Sequence, residues 1–97
     1  MPTYIMLLKL TDQGVKNVRE SPNRQDAARE LARKFGVEWT SIHMTMGDYD
    51  FVNIVEAPDD QAIAKYALSL GALGNIRTTT LKAFPEAEYR EIIQALA

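Results

Sequence analysis

The sequence predicts a small α+β domain in which helices cover one face of a four-stranded antiparallel sheet. Segments typical of strands and helices follow one another in the order β-α-β-β-α-β, with one more helix at the C-terminal end. The 97 residues are enough for one modest core. Hydrophobic residues make up 46% and charged residues 25%, as in a globular rather than a disordered chain. This order is that of the ferredoxin-like, or split β-α-β, arrangement.

Four segments have the composition of strands. Their side chains alternate between two faces and are rich in β-branched, aromatic and thioether groups. These segments are Thr3 to Leu10, Val37 to Met46, Phe51 to Glu56 and Asn75 to Phe84. In the second strand, simple alternation places Trp39, Ser41 and His43 on one face. We therefore expect the only histidine to share a polar face with the only tryptophan.

The first strand indicates self-association, because both of its faces are largely apolar. One face carries Tyr4, Met6, Leu8 and Leu10, and the other carries Ile5, Leu7 and Lys9. A strand of this kind needs cover on both sides. The helices can cover one face, and a chain of this length rarely supplies a second cover. We expect a homodimer or a higher homo-oligomer.

Three segments have the signals of helices. The first begins at Ser21-Pro22, with serine as the predicted N-cap and proline in the first helical position, and it ends before Gly36. The second begins at Pro58-Asp59-Asp60, with proline in its first turn, and ends at the segment 71–74. The last is predicted over residues 86–96, with apolar side chains along one side.

The segment from Met46 to Phe51 predicts a β-hairpin between the second and third strands. Gly47 permits a positive φ, and the carboxylates of Asp48 and Asp50 can accept hydrogen bonds from nearby backbone N–H groups. Turns of two and of three residues both fit, and they place different residues opposite His43. The segment is either a well-formed turn or a turn that also carries a binding or catalytic site.

Composition excludes several functional classes. The net charge is −2 and the isoelectric point is near 5.3, which argues against a nucleic-acid surface. There is no cysteine, so disulfides, thiolate metal sites and cysteine nucleophiles are excluded. No apolar run approaches the roughly 20 residues that span a bilayer, and no signal-peptide pattern is visible. We expect a cytoplasmic protein that binds neither nucleic acid nor membrane.

Motifs for RNA, nucleotides and metals are absent or incomplete. The segment Gly47 to Ile54 (GDYDFVNI) resembles an RNA-recognition signature superficially, but it lacks the basic residue and the last aromatic. There is no GxGxxG, P-loop, nucleophile elbow or HExxH pattern, so no cofactor is predicted. A metal site built from His43, Asp48 and Asp50 lacks the spacing that would support it, and no metal is predicted.

Several short motifs together resemble the GYD-domain family over essentially the whole chain. They are Pro2 to Tyr4, Thr11 to Gly14, Met46 to Asp50, Ala57 to Asp60, Gly74 to Thr78 and Leu81 to Phe84. The resemblance implies one ferredoxin-like domain over residues 1–97, belonging to the dimeric α+β-barrel group in which two sheets face each other. The family is similar in architecture to small cofactor-free monooxygenases and to muconolactone isomerase. A shared fold is weak support for shared chemistry.

Two hypotheses for function remain open, and we favour the first. The chain is either a non-catalytic module that binds a small, partly apolar molecule or serves in assembly, or a cofactor-free enzyme of the isomerase or monooxygenase type. The enzyme would act on a small aromatic molecule or a lactone, whereas the module would bind a small apolar or aromatic ligand. The ligand would lie between subunits or at the turn. The residues expected to contact it are Trp39, Thr45, Gly47, Asp48 and Phe51.

The enzyme hypothesis assigns His43 as general base, with Tyr49 as an orienting or proton-donating phenol and Asp50 beside them. A single histidine without a spaced partner is a weak signal of catalysis. A histidine within hydrogen-bond reach of Tyr49 or Asp50 in a closed cavity would favour the enzyme. A solvent-exposed His43 would favour the binding module.

Overall fold

One antiparallel sheet organises the fold in a computed structural model that describes residues 1–97. Its strands are β1 (Thr3–Leu10), β2 (Glu38–Met44), β3 (Phe51–Glu56) and β4 (Ile76–Ala83). They lie in the order β2-β3-β1-β4, and every neighbouring pair is antiparallel. The predicted ferredoxin-like α+β fold is confirmed.

Four α-helices and one 3₁₀ turn connect and extend the strands. They are α1 (Asp12–Lys16), the 3₁₀ turn Val18–Glu20, α2 (Ser21–Lys34), α3 (Asp60–Ala72) and α4 (Glu86–Gln94). Both α1 and the 3₁₀ turn lie in the connection between β1 and α2. None of these helices is long and apolar enough to cross a membrane.

Of the two predicted ends of α2, the N-terminal cap is wrong and the C-terminal glycine is confirmed. Ser21 has helical backbone angles, φ −60° and ψ −35°, because the 3₁₀ turn runs directly into the helix. The prediction of Ser21 as the N-cap is therefore wrong. At the other end, Gly36 has φ 72° and follows the C-cap, as predicted. The Val37 N–H donates to the Ala32 carbonyl at 2.9 Å, which completes a Schellman-type end.

The start of α3 differs slightly from its prediction. Pro58 lies outside the helix rather than in its first turn, and Asp59 is the N-cap. The Asp59 carboxylate accepts a hydrogen bond from the Ala62 N–H at 2.8 Å. This bond satisfies one of the backbone donors that the first turn of a helix leaves free.

A β-bulge in β2 changes which side chains share a face. The pairing with β3 passes from Trp39–Val55 to Ser41–Ile54, so Thr40 is an extra residue. Trp39 therefore faces the helices, whereas Ser41 and His43 lie on the opposite side of the sheet. The prediction that Trp39 and His43 share a face is wrong, because strict alternation does not hold across a bulge.

The core lies between the sheet and helices α2 and α3. Its ten buried apolar residues are Tyr4, Met6, Leu8, Ala32, Val37, Val55, Ala57, Ile63, Tyr66 and Leu70. The even-numbered side chains of β1 provide the sheet side, and three residues of the apolar side of α3 provide the helix side. These contacts bury one face of β1 almost completely and leave its odd-numbered side chains only half-buried or exposed.

Gly14 permits the closest approach between α1 and the chain entering β4. It is buried, and a Cβ atom added there would lie 2.1 Å from the Asn75 carbonyl oxygen. The neighbouring Thr11 fixes the same contact, since its N–H donates to the Asn75 carbonyl at 3.0 Å and its hydroxyl donates to the Gly74 carbonyl at 2.6 Å. The contact has no room for a methyl group.

We predict that Gly14→Ala lowers the free energy of unfolding by roughly 1–3 kcal/mol, because α1 must move away from Asn75. Chemical denaturation measures this change. The matched control is Gly71→Ala, also at a helical glycine, where the added Cβ meets nothing closer than Arg77 at 3.7 Å. That variant should be unchanged or more stable by up to roughly 1 kcal/mol. Equal effects at both glycines would contradict the steric explanation.

Candidate functional site

The face of the sheet turned away from α2 and α3 is apolar at its centre and has no cover. We call it the open face. Its central side chains are Ile5, Leu7, Val52, Ile54 and Leu81, and none of them is buried. A contiguous uncovered apolar surface of this kind is typical of an interaction site.

The two ends of the open face carry opposite charges. Glu38 and Glu56 are paired in register at one end, beside Thr3 of β1. Lys9 lies at the other end, paired in register with Arg77, whose guanidinium donates to the Gly71 carbonyl of α3 at 3.2 Å on the helix side of the sheet. The apolar centre therefore separates an acidic end from a basic end along the strand direction.

Helix α4 is also uncovered. Every residue from Phe84 to Ala97 is exposed, including the large apolar side chains Tyr89, Ile92, Ile93 and Leu96. The molecule measures 52 × 30 × 18 Å, an elongated shape that agrees with a helix projecting from the sheet. An isolated amphipathic helix this short is only marginally stable in water, so α4 needs a surface to pack against.

His43 lies on the open face, opposite Val52 of β3, and its side chain is exposed. No hydrogen bond joins it to Tyr49 or Asp50. No group of three His, Cys, Asp or Glu side chains lies close enough together to hold a metal ion. The catalytic assignment of His43, Tyr49 and Asp50 stays a prediction, and the exposure of the histidine favours the binding hypothesis.

The hairpin turn is longer than either predicted form. The Thr45 N–H donates to the Asp50 carbonyl at 2.8 Å, which leaves a four-residue loop over residues 46–49. Gly47 has φ 116°, and the Thr45 hydroxyl donates to the Tyr49 carbonyl at 2.6 Å across the base of the loop. The base of the loop is therefore held by one hydrogen bond between backbone groups and one from a side-chain hydroxyl.

Asp50 fastens this turn to the end of β1. Its carboxylate accepts a hydrogen bond from the Leu10 N–H at 2.7 Å, and its own N–H donates to the Leu8 carbonyl at 2.8 Å. The side chain continues the sheet hydrogen bonding past the last residue pair of β3. Asp48, by contrast, is exposed and makes no hydrogen bond through its side chain.

A cavity of about 370 Å³ lies between the sheet and α2, on the helix side of the sheet. Trp39 and Phe51, two of the five residues expected to contact a ligand, are part of its wall. Thr45, Gly47 and Asp48 belong to the turn and do not line it. The wall also includes Asn53, which is not among the predicted site residues. The sequence pattern that could have indicated it is a polar residue at a core position of a strand, between Phe51 and Val55.

Trp39 is held in place by two contacts outside the cavity. Its indole N–H donates to the Tyr66 hydroxyl at 3.1 Å, and the Arg29 guanidinium lies 4.7 Å from the ring centroid. The Tyr66 hydroxyl in turn donates to the Ala28 carbonyl of α2 at 2.8 Å. Burial raises the pKa of Tyr66 to about 12. This chain of contacts links β2, α3 and α2.

A second buried tyrosine joins the sheet to the start of α3. The Tyr4 hydroxyl donates to the Asp60 carboxylate, which also accepts from the Lys82 ammonium at 3.3 Å. Burial, followed by the hydrogen bond to Asp60, raises the pKa of Tyr4 to about 12. The same hydrogen bond, followed by that from Lys82, lowers the pKa of Asp60.

Comparison with known proteins assigns the family. The profile of the GYD domain matches residues 4–93. The chain belongs to the GYD-domain family. The resemblance seen in the sequence motifs is therefore confirmed.

One curated GYD relative is the "Glutamine synthetase and cystathionine beta-lyase binding protein" of Thermus thermophilus. It is 42% identical over 89 residues, covering 91% of this chain and 94% of its own. The crystal structure of TTHA0845, also from Thermus thermophilus, has a TM-score of 0.57 and 23% identity, covering 88% of this chain and 95% of that chain. The second similarity supports the fold alone.

We predict that Asp50→Ala lowers the free energy of unfolding by roughly 1–3 kcal/mol, because the Leu10 N–H loses its acceptor. Asp50→Asn keeps an acceptor oxygen and should cost less. Asp48→Ala, at the exposed carboxylate of the same turn, is the matched control and should stay within roughly 0.5 kcal/mol of the native protein. Thermal and urea unfolding measure all three. An Asp48→Ala effect as large as that of Asp50→Ala would refute the assignment.

Because Tyr4 and Tyr66 are buried, we predict that the protein loses stability at alkaline pH. Below about pH 10 the tyrosines keep their protons in both states, so the stability that they contribute is fully present. Between pH 10 and about 12 the unfolded chain releases protons that the native protein still holds, so the free energy of unfolding falls. One such group contributes a slope of up to about 1.4 kcal/mol per pH unit.

Tyr66→Phe should reduce this slope, which urea unfolding at several alkaline pH values measures. The matched control is Tyr89→Phe, at an exposed tyrosine of α4, which should keep the native slope. An unchanged slope in Tyr66→Phe would show that Tyr66 does not contribute to the alkaline transition.

Proposed function

We propose that this protein is a non-catalytic binding protein that self-associates through its open face and, in that form, binds a metabolic enzyme. The observation that supports the enzyme-binding role most directly is the GYD relative at 42% identity over 91% of this chain. That relative is named for binding glutamine synthetase and cystathionine β-lyase. We extend this class of partner to the present chain.

A second copy of the chain is the best occupant of the open face. Two open faces packed with their strands in opposite directions bring the acidic end of each copy against the basic end of the other. Glu38 and Glu56 of one copy would then approach Lys9 of the next, around a shared apolar centre. Complementary charges of this kind fix the orientation of a pair more than they add affinity. A two-fold pair is also the commonest symmetric oligomer.

Helix α4 supports the same arrangement. Its apolar side chains are exposed in the single chain, and it follows β4, whose Leu81 belongs to the open face. In a pair of facing sheets, each α4 would gain an apolar surface on the other copy. The partner enzyme would then contact the outer surface, since the open faces are occupied.

We predict that Ile54→Glu prevents self-association, because it places a charge at the apolar centre of the paired faces. Light scattering at micromolar concentration should give at least twice the chain mass of 10.9 kDa for the native protein and the chain mass alone for the variant. Glutamine synthetase and cystathionine β-lyase from the organism that carries this chain, immobilised in turn, should capture the native protein. Capture of Ile54→Glu should be at least several-fold weaker.

The matched control is Leu68→Glu, at an apolar side chain of α3 that is 75% exposed. It should keep the native mass, and circular dichroism should show all three proteins folded. A native protein with the mass of one chain would refute the pairing of open faces. Absence of binding to both enzymes at micromolar concentration would refute the proposed partners.

A further inference from the structure

The cavity on the helix side of the sheet has the size and lining of a small-molecule site. Its volume is about 370 Å³, and 11 of its 16 lining residues are hydrophobic. Pockets for small organic molecules start at roughly 300 Å³, and an apolar cavity of about 150 Å³ is enough for benzene. The floor contains the buried residues Leu8, Asn53 and Leu70, and the α2 side contributes Ala28 and Leu31.

Asn53 is the one buried polar residue in this floor. It is 2% exposed, and its Oδ1 atom is buried without a hydrogen-bond partner in the protein. A buried acceptor without a donor is costly and uncommon in native proteins, so it needs a physical explanation. A donor carried by a bound molecule would satisfy it. Asn53 pairs with Met6 and Ile42 in the sheet, so neither neighbouring side chain in register supplies that donor.

The aromatic part of the wall is fixed before any ligand enters. Trp39 is held by the Tyr66 hydroxyl and by Arg29, and its position on this side of the sheet results from the β-bulge. Phe51 lies on the same side, two residues before Asn53 in β3. A rigid aromatic wall beside one buried acceptor favours a flat apolar ligand and fixes its orientation.

We infer that this cavity binds a small neutral aromatic molecule that carries one hydroxyl or N–H donor, and that Asn53 accepts the hydrogen bond from that donor. The apolar body of the ligand packs between Trp39, Phe51 and the α2 side chains. The site lies within one subunit, on the opposite side of the sheet from the open face. It is therefore independent of the proposed self-association.

Neutral ligands fit this site better than anions. Arg24 is the charged residue of the lining, and its guanidinium already donates to the backbone carbonyls of Asn17 and Gly14 at 2.9 and 3.3 Å. It holds the connection before α2 in place. The half-buried side chains of Ser21, Gln25 and Asn75 also line the cavity, but Asn53 is its buried polar group. The recognition of the ligand therefore depends mainly on this neutral acceptor and on the shape of the apolar wall.

The test compares thymol, a phenol with a compact apolar body, with thymol methyl ether, which lacks the donor. Trp39 is the only tryptophan of the chain and lies in the cavity wall, so its fluorescence reports binding directly. We expect thymol to cause a saturable change and to bind roughly tenfold or more tightly than the ether, as one hydrogen bond to a buried acceptor requires. Asn53→Leu, which keeps the branched shape of the side chain but has no polar atoms, should remove this difference by weakening thymol.

Three further measurements locate the site. Ala28→Phe, which fills the cavity, should abolish the response to both probes while circular dichroism remains native. Ile54→Glu, which targets only the open face, should bind thymol with native affinity. Thymol bound by Ile54→Glu, together with a failure of the native protein to bind either enzyme, would refute the proposed function and leave this site intact.

Several results would overturn the inference. One is the absence of a saturable response up to the solubility limit of thymol, and another is an equal affinity for thymol and its ether. A preference for thymol that is unchanged in Asn53→Leu would also overturn it, as would a response that persists in Ala28→Phe. Loss of thymol binding in Ile54→Glu would also overturn it, because the cavity would then form only between copies. Thymol binding by Ile54→Glu but not by the native protein would overturn it too, because α4 of a second copy would then occupy the cavity.

Discussion

The main constraint on this structure is that the sheet has two faces and the packed helices cover only one of them. Burial of apolar surface is the main favourable term in folding, and α2 and α3 supply it for the even-numbered side chains of β1. The odd-numbered side chains have no such cover. A domain of this size rarely has further elements that could cover the second face. The apolar centre of the open face and helix α4 therefore both leave apolar surface exposed to water, and the proposed pairing with another copy of the chain would cover both.

Much of the architecture could be predicted because it follows from local rules. The order of strands and helices, the two apolar faces of β1 and the glycine after α2 all depend on side-chain periodicity or on backbone freedom. Family membership could also be recognised from short motifs. These features are repeated or local, so a single sequence contains the information needed for them.

The candidate site was harder to predict, because it depends on small irregularities. One extra residue at Thr40 separates Trp39 from His43, and alternation alone cannot show where a bulge falls. The hairpin length depends on the pairing of Thr45 with Asp50, a contact that turn composition leaves open. The role of Asn53 depends on the absence of a donor around it, which only the packed structure reveals.

The bulge has a consequence for the edge of the sheet. β2 is an outermost strand, and its free backbone groups are a potential template for strands of other chains. An incoming straight strand would lose its register at Thr40, so continuous growth of the sheet at this edge is discouraged. The irregularity that brings Trp39 over the core thus also makes this edge of the sheet a poor template for an added strand.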